Sequence, residues 1–148
     1  MVKNNKTYYA SLTVALTNNT AQGAITFGLL SFSESLNPSS YPPVIINTVV
    51  DGDTQTILIA ASESIINYSG TPPQPVQGGN PVTEGFAVFN LPNGDTLQIT
   101  WDLDADDASN SMPSIVPSSD YYSISGLTNP VVKNNYYTFN IVVGAPQQ

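Results

Sequence analysis

The feature that most constrains the fold is the alternation of apolar and polar residues in short runs. Leu12, Val14 and Leu16 fall on one face of an extended chain, which is the period-two pattern of a half-buried strand. No segment shows the i, i+3, i+4 spacing of an amphipathic helix, so we expect an all-β protein. The predicted strands cover residues 8–16, 24–33, 44–50, 54–60, 85–91, 96–101, 121–124 and 136–143.

Two turn signals predict hairpins between these strands. Asp51-Gly52 separates the third and fourth runs, and Asn93-Gly94 separates the fifth and sixth. Such dipeptides favour the tight turns of β-hairpins because their residues tolerate a positive φ. In the second hairpin, the alternation places one set of residues on a common face: Ala87, Phe89 and Leu91.

The remaining segments predict two long surface loops. Residues 61–82 are rich in proline, glycine, serine and asparagine, and residues 102–119 combine an acidic stretch with Pro and Ser. Proline interrupts the ladder of a sheet, and long loops are common recognition sites. At 148 residues the chain has the usual length of one domain. We expect residues 1–148 to form a single-domain antiparallel β-sandwich.

The charge of the chain argues against nucleic acid as a partner. Only 9% of residues are charged and the net charge is −8, with three lysines and no arginine. Proteins that bind nucleic-acid backbones need clustered basic residues that release counterions from phosphate. The same shortage argues against electrostatic attachment to anionic lipid. A membrane role would have to rest on aromatic insertion or on recognition of a lipid headgroup.

The residue types of common hydrolytic chemistry are missing. The chain has no histidine and no cysteine, so it cannot form a Ser-His-Asp triad, a Cys-His pair or the common zinc sites. Its glutamates are scattered over different segments, and no spacing singles out the carboxylate pair of a glycosidase. We therefore interpret the chain as a binding protein and not as an enzyme.

An acidic stretch is the best candidate metal site in the sequence. It contains Asp102, Asp104, Asp106 and Asp107, which supply the hard oxygen ligands that calcium prefers. The stretch is not an EF-hand loop, because its sixth position is not glycine and its twelfth is Pro113 instead of a bidentate glutamate. Two interpretations stay open, a solvated acidic loop and a calcium site.

Aromatic residues are the candidate contact residues. Tyrosine pairs occur at Tyr8-Tyr9, Tyr121-Tyr122 and Tyr136-Tyr137. Because adjacent residues of a strand point to opposite faces, one member of each pair should be buried and the other exposed. Exposed tyrosines either reflect ordinary β propensity or form an amphipathic belt at a lipid or sugar surface. Trp101 is the only tryptophan, and the sequence leaves it two roles, a core anchor and a contact residue.

The central hairpin resembles the aegerolysin family. Thr83-Glu84-Gly85-Phe86 precedes a strand, an Asn-Gly-Asp turn and the run Leu97-Gln98-Ile99-Thr100-Trp101-Asp102. This is similar to the family pattern T-E-G-x-F followed by a hairpin that ends in Tyr/Phe-Trp-Asp. The segments 8–32 and 49–57 also fall in the family's order. The resemblance covers most of the chain and rests on the order and spacing of these segments.

The resemblance implies a function at membranes. Aegerolysins are small acidic β-sandwich proteins that bind particular membrane lipids, and many act with a larger perforin-like partner to open pores. Some bacterial relatives are one half of binary insecticidal toxins. By analogy, we expect a lipid-binding component of a two-component pore-forming or insecticidal toxin, with a membrane lipid such as a sphingolipid and a larger pore-forming protein as partners. The N-terminus shows no apolar segment typical of a signal peptide, and we expect action at target-cell membranes, outside the cell after release.

The predicted lipid contacts follow from the same resemblance and from the aromatic pattern. They are Tyr8, Tyr9, Phe32, Tyr68 and Trp101. The chain departs from the family after Trp101-Asp102, where typical fungal members continue with Cys-Pro-Trp and this chain has Leu-Asp-Ala. The loop before the T-E-G motif is also longer and has no acidic residue between positions 67 and 80. The resemblance therefore does not transfer a lipid specificity.

Two other functions stay open from the sequence. A carbohydrate-binding or calcium-assisted lectin-like sandwich would use the acidic residues 102–107 as ligands. A calcium-dependent rise in melting temperature would favour it, because a ligand of the native state stabilises that state. A structural subunit of a fibre or inclusion would instead assemble with its own copies and bind neither lipid nor sugar.

Overall fold

Two β-sheets make up the part of the chain that the structure describes. The computed structural model describes residues 4–34, 48–69, 74–78, 82–104, 112–133 and 136–147. Its strands are β1 (Asn4–Asn18), β2 (Ile25–Glu34), β3 (Thr48–Val49), β4 (Thr54–Ser69), β5 (Gln74–Gly78), β6 (Val82–Asn90), β7 (Thr96–Asp104), β8 (Ser114–Pro117), β9 (Tyr122–Ser125), β10 (Val131–Lys133) and β11 (Tyr136–Pro146). These ranges contain no helix, and so none that is long and apolar enough to cross a membrane. The all-β class is confirmed.

The sheets are antiparallel with one exception. The first sheet has the order β10-β11-β1-β4-β5, with β9 also paired to β11, and the second has the order β3-β2-β6-β7-β8. Within the described strands, only β1 and β11 pair in parallel. Parallel neighbours need a long connection, and here the connection is the chain between the first and the last strand. The predicted antiparallel sandwich is thus confirmed, with one parallel pair at its centre.

The core is built from alternate residues of the long strands of both sheets. Leu12, Val14 and Leu16 of β1 are fully buried, as their alternation predicted. Ala87 and Phe89 of β6 are buried against the same cluster from the second sheet. Burial of one large aliphatic or aromatic side chain stabilises a fold by roughly 1.5–3 kcal/mol. The period-two pattern that revealed the strands is therefore also a main source of their stability.

The predicted hairpin at Asn93-Gly94 is confirmed. The Leu91 N–H donates to the Asp95 carbonyl at 2.7 Å, and the Gly94 N–H donates to the Leu91 carbonyl at 3.0 Å. Gly94 has a φ of 94°, which glycine adopts without strain. A tight turn followed by a residue of positive φ is a common three-residue hairpin loop, and it sets the β6–β7 register.

The predicted hairpin at Asp51-Gly52 is wrong. β3 pairs with β2 in the second sheet, whereas β4 pairs with β1 and β5 in the first. The Asp53 N–H donates to the Val50 carbonyl at 3.1 Å, and of the two central residues only Gly52 has a positive φ, 81°. That is typical of a type II turn, whereas the type I′ turn of a two-residue hairpin needs a positive φ at both positions. The turn carries the chain from one sheet to the other.

The two predicted long loops contain strands. β4 continues to Ser69, and β5 pairs with it inside the segment 61–82. β8 lies inside the segment 102–119 and pairs with β7. Both added strands contain a proline, Pro75 or Pro117, and both stand last in their sheets. An edge strand tolerates proline because one of its sides makes no ladder hydrogen bonds. The prolines in these two segments were therefore not evidence for loops.

Candidate functional site

Four of the described connections between strands meet at one end of the sandwich. We call this the turn end, formed by residues 18–24, 50–53, 91–95 and 118–122. The Asn18 N–H donates to the Asp53 carbonyl at 3.0 Å, and the Tyr122 hydroxyl donates to Gln22 Oε1 at 2.7 Å. These bonds join loops that belong to both sheets.

The opposite ends of the same strands hold the predicted lipid contacts. We call this the far end, formed by residues 4–9, 31–34, 61–69, 82–85 and 101–104. In the strand register, Tyr8 lies opposite Glu63, Tyr68 opposite Pro75, and both Phe32 and Trp101 opposite Gly85, while Tyr9 follows Tyr8 at a register shift in β1. The fold thus brings residues from four strands to one end. The side chains of Tyr8, Tyr9, Phe32 and Tyr68 lie outside the part that the structure describes, so their contact with lipid stays a prediction.

Trp101 occupies the core. Its side chain is 2% exposed, and Gly85, its partner in the β6–β7 ladder, is also buried. Of the two roles that the sequence left open, this position favours the core anchor. Contact between the indole and a lipid would require the residue to leave the core.

A groove opens on the second sheet next to Trp101. It has a volume of about 330 Å³ and is lined by Glu84, Gly85, Phe86, Thr100, Trp101, Asp102, Met112 and Ser114. Glu84 and Asp102 lie directly opposite each other in the ladder, so two carboxylates reach the same space. Met112 is 53% exposed beside the half-buried Phe86. An apolar lining with a few polar groups suits a small amphiphilic ligand.

The acidic stretch is described only at its start. Asp102 is exposed, Asp104 ends β7 with a side chain that is not described, and Asp106 and Asp107 lie outside the described residues. Within the described ranges, no group of three or more acidic side chains could hold a metal ion. The calcium site therefore stays a prediction.

The tyrosine pairs follow the predicted alternation where their side chains are described. Tyr121 is exposed and Tyr122 is buried. Tyr137 is buried and its neighbour Tyr136 is half-buried. Two of the three pairs thus divide between the core and the surface as the period of a strand requires.

A buried polar network at the turn end was not predicted from the sequence. Asn18 is fully buried, and its Nδ2 donates to the carbonyls of Gly23 and Val49, both at 2.8 Å. Its Oδ1 accepts from the N–H and the hydroxyl of Thr20, at 3.1 and 2.8 Å. The carboxylate of Asp51 accepts from the Gly23 N–H at 3.0 Å. The network satisfies buried polar groups and holds the β1–β2 loop against the turn between the sheets. The sequence showed the two turn motifs involved, Asn-Asn-Thr at 18–20 and Asp-Gly-Asp at 51–53, but not that they contact each other.

Asp95 is held in its ionised form by neighbouring side chains. The Ser119 hydroxyl and the Asn93 amide donate to its Oδ2, and these bonds lower the pKa of the carboxyl, the serine contributing most. A carboxyl with a lowered folded-state pKa stabilises the fold above the pKa of the unfolded chain, and this stabilisation is lost as the pH falls through the folded value.

The Ser119→Ala substitution should raise the pKa of Asp95 toward its ordinary value, because the largest contribution to the shift disappears. The measurement is an NMR titration of the carboxyl carbon. Ser118→Ala is the control, since the Ser118 hydroxyl accepts from the Thr96 N–H and should leave that titration unchanged. An Asp95 titration that is the same in both variants would show that Ser119 does not set it.

Comparisons with known proteins bear on the fold alone. The sequence matches no family model and no curated protein. Among solved structures, the chain is similar to RahU protein in complex with a TRIS molecule, over 96% of this chain and 99% of that chain, with a TM-score of 0.56 and 14% sequence identity. RahU is of the aegerolysin type. The fold is aegerolysin-like. At this identity the likeness assigns no role to any residue.

Proposed function

We propose that this protein binds membrane lipid and is the recognition component of a two-component pore-forming or insecticidal toxin, acting with a larger perforin-like partner. The observation that carries the proposal is the collection of the predicted aromatic contacts at one end of an aegerolysin-like sandwich. Four of those residues, Tyr8, Tyr9, Phe32 and Tyr68, come from β1, β2 and β4, and their backbone positions lie at the far end. The fifth, Trp101, lies in the core. Aromatic side chains there would sit at the level of the lipid headgroups.

The groove next to Trp101 supports a role in headgroup recognition. The carboxylates of Glu84 and Asp102 would face the polar part of the lipid, and Phe86 and Met112 would contact its apolar part. In this proposal Glu84 has a role in binding.

The charge of the far end favours lipids without net negative charge. Its ranges carry Glu34, Glu63, Glu84, Asp102 and Asp104 against Lys6. An acidic surface is repelled by anionic lipid, and salt screens that repulsion. Zwitterionic headgroups such as those of sphingolipids avoid this cost.

Co-sedimentation with liposomes tests the proposal. The panel contains zwitterionic glycerolipid, sphingolipid with and without sterol, and anionic lipid, each with calcium and with chelator. We expect selective pelleting with one zwitterionic composition that is unaffected by chelator. Absence of pelleting under every condition would contradict lipid binding. Pelleting that disappears with chelator would instead support the calcium-assisted alternative at residues 102–107.

A pair of tyrosine variants locates the contact. Tyr68→Ala at the far end should weaken liposome binding by about tenfold, equivalent to about 1.4 kcal/mol, because a ring is withdrawn from the interface. Tyr121→Ala removes an exposed tyrosine at the turn end and should leave liposome binding unchanged. The opposite pattern would place the membrane contact at the turn end.

A further inference from the structure

Tyr121 is an exposed aromatic ring that the turn end holds in place. The side chain is 43% exposed and packs edge-on against the buried Tyr122, with ring centroids 4.9 Å apart and an interplanar angle of 88°. The Tyr121 N–H donates to Ser119 Oγ at 3.2 Å, and its carbonyl accepts from the Gln147 N–H at 2.7 Å. Because the backbone and the ring are both constrained, a ligand that stacks on this ring orders little additional structure.

The side-chain amides of Gln22 and Asn93 are oriented by hydrogen bonds to neighbouring residues. Gln22 is exposed, and its Oε1 accepts from the Tyr122 hydroxyl at 2.7 Å. This bond directs the Gln22 Nε2 toward Tyr121, whose hydroxyl lies 3.5 Å away. In the β6–β7 turn, Asn93 Nδ2 donates to Asp95 Oδ2 at 3.0 Å.

Ser119 connects the backbone of Tyr121 to the carboxylate of Asp95. Its hydroxyl donates to Asp95 Oδ2 and accepts from the Tyr121 N–H. A carboxylate has about four acceptor sites, and the two bonds to Asp95 Oδ2 leave it capacity for ligand hydroxyls. Residues from three separate segments therefore meet at this surface, which we call the tyrosine platform: Gln22, Asn93, Asp95, Ser119 and Tyr121.

The charges around the platform select against anionic ligands. The turn end carries Asp51, Asp53, Asp95 and Asp120, and its ranges contain no lysine. A sialylated or sulfated ligand would be repelled there, whereas an uncharged ligand would not.

We propose that the tyrosine platform binds a neutral glycan. The Tyr121 ring stacks on the apolar C–H face of a pyranose, as an amphipathic aromatic side chain can, and Gln22, Asn93 and Asp95 bond the hydroxyls at the rim of the sugar. The site lies at the end opposite to the predicted lipid contacts. It therefore does not rest on the proposed lipid binding, and a protein with both sites would attach to a cell surface at two points.

A glycan panel with matched variants tests the inference. The panel holds neutral glycans ending in glucose, galactose, mannose or N-acetylglucosamine, together with sialylated counterparts. We expect binding to a neutral member and weaker binding to its sialylated form. Tyr121→Ala should weaken binding by about tenfold or more, equivalent to about 1.4 kcal/mol, whereas Tyr121→Phe should keep most of it because stacking is retained.

Gln22→Ala should weaken glycan binding. The control is Gln98→Ala, which removes an exposed amide of β7 that is not part of the tyrosine platform and should leave glycan binding unchanged. A circular dichroism melt shows that each variant is folded. Binding to no glycan, equal binding by Tyr121→Ala and the wild type, or a preference for sialylated glycans would each overturn the inference. Liposome binding should persist in Tyr121→Ala, so a failure here is distinct from a failure of the proposed lipid function.

Discussion

Trp101→Ala is expected to lower the free energy of unfolding by about 3–5 kcal/mol, the usual cost of truncating a large core aromatic residue. The indole is 2% exposed and belongs to the cluster that both sheets share. Since the whole stability of a domain is about 5–15 kcal/mol, this is a large fraction of the total. The measurement is urea denaturation followed by circular dichroism.

The same variant separates the two roles of Trp101. Loss of liposome binding together with a large loss of stability would agree with a core anchor. A loss of stability below about 0.5 kcal/mol with lost liposome binding would contradict it and make the residue a direct contact. Thr100→Ala is the matched control, because Thr100 is the exposed neighbour on the same strand and such surface changes stay within about 0.5 kcal/mol.

Asn18→Ala is expected to cost about 3 kcal/mol of stability. The Asn18 side chain makes four hydrogen bonds in a fully buried position. Its removal leaves the Val49 carbonyl and the Thr20 N–H without these partners, and an unsatisfied buried group costs about 1–3 kcal/mol. Chemical denaturation measures the loss.

Two further variants define the origin of this effect. Asn18→Asp keeps the shape but replaces the Nδ2 donor with an acceptor that faces the carbonyls of Gly23 and Val49, so it should also destabilise. Asn19→Ala changes the exposed neighbour and should have little effect. A stable Asn18→Ala protein would show that the network does not hold the two sheets together at the turn end.

Structure that depends on one strand or one turn could be predicted from the sequence. Leu12, Val14 and Leu16 were assigned to one buried face because the period of a strand is local. Asn93-Gly94 correctly predicted a hairpin because the geometry of a tight turn depends only on adjacent residues. The aegerolysin-like fold followed from the order of such segments.

Contacts between segments that are far apart in the chain could not be predicted from the sequence. Thr20 and Asp51 bond to each other across 31 positions of sequence, and no local pattern records that pairing. Asp51-Gly52 predicted a hairpin, but the choice between pairing with the next strand and crossing to the other sheet is made by tertiary packing. Pro75 was taken to indicate a loop because the sequence does not show which strand lies at the edge of a sheet.

The same limit applies to the two candidate sites. The aromatic contacts of the far end were predicted from their residue type and from the family resemblance. The strand register brings their positions to the same end of the sandwich. The tyrosine platform could not be predicted from the sequence because Gln22 and Tyr121 are 99 residues apart. The sequence predicted only that one member of the Tyr121-Tyr122 pair would be exposed.

Fluorescence from single labelled cysteines tests most directly which end of the sandwich meets the membrane. The chain has no cysteine, so Ser31→Cys at the far end and Asn19→Cys at the turn end can each carry one environment-sensitive dye. Ser31 is half-buried and Asn19 is exposed. With vesicles of the composition that pellets the protein, a blue shift is predicted for the dye at position 31 and none for the dye at position 19. A blue shift at position 19 alone would contradict this orientation and place the turn end at the membrane.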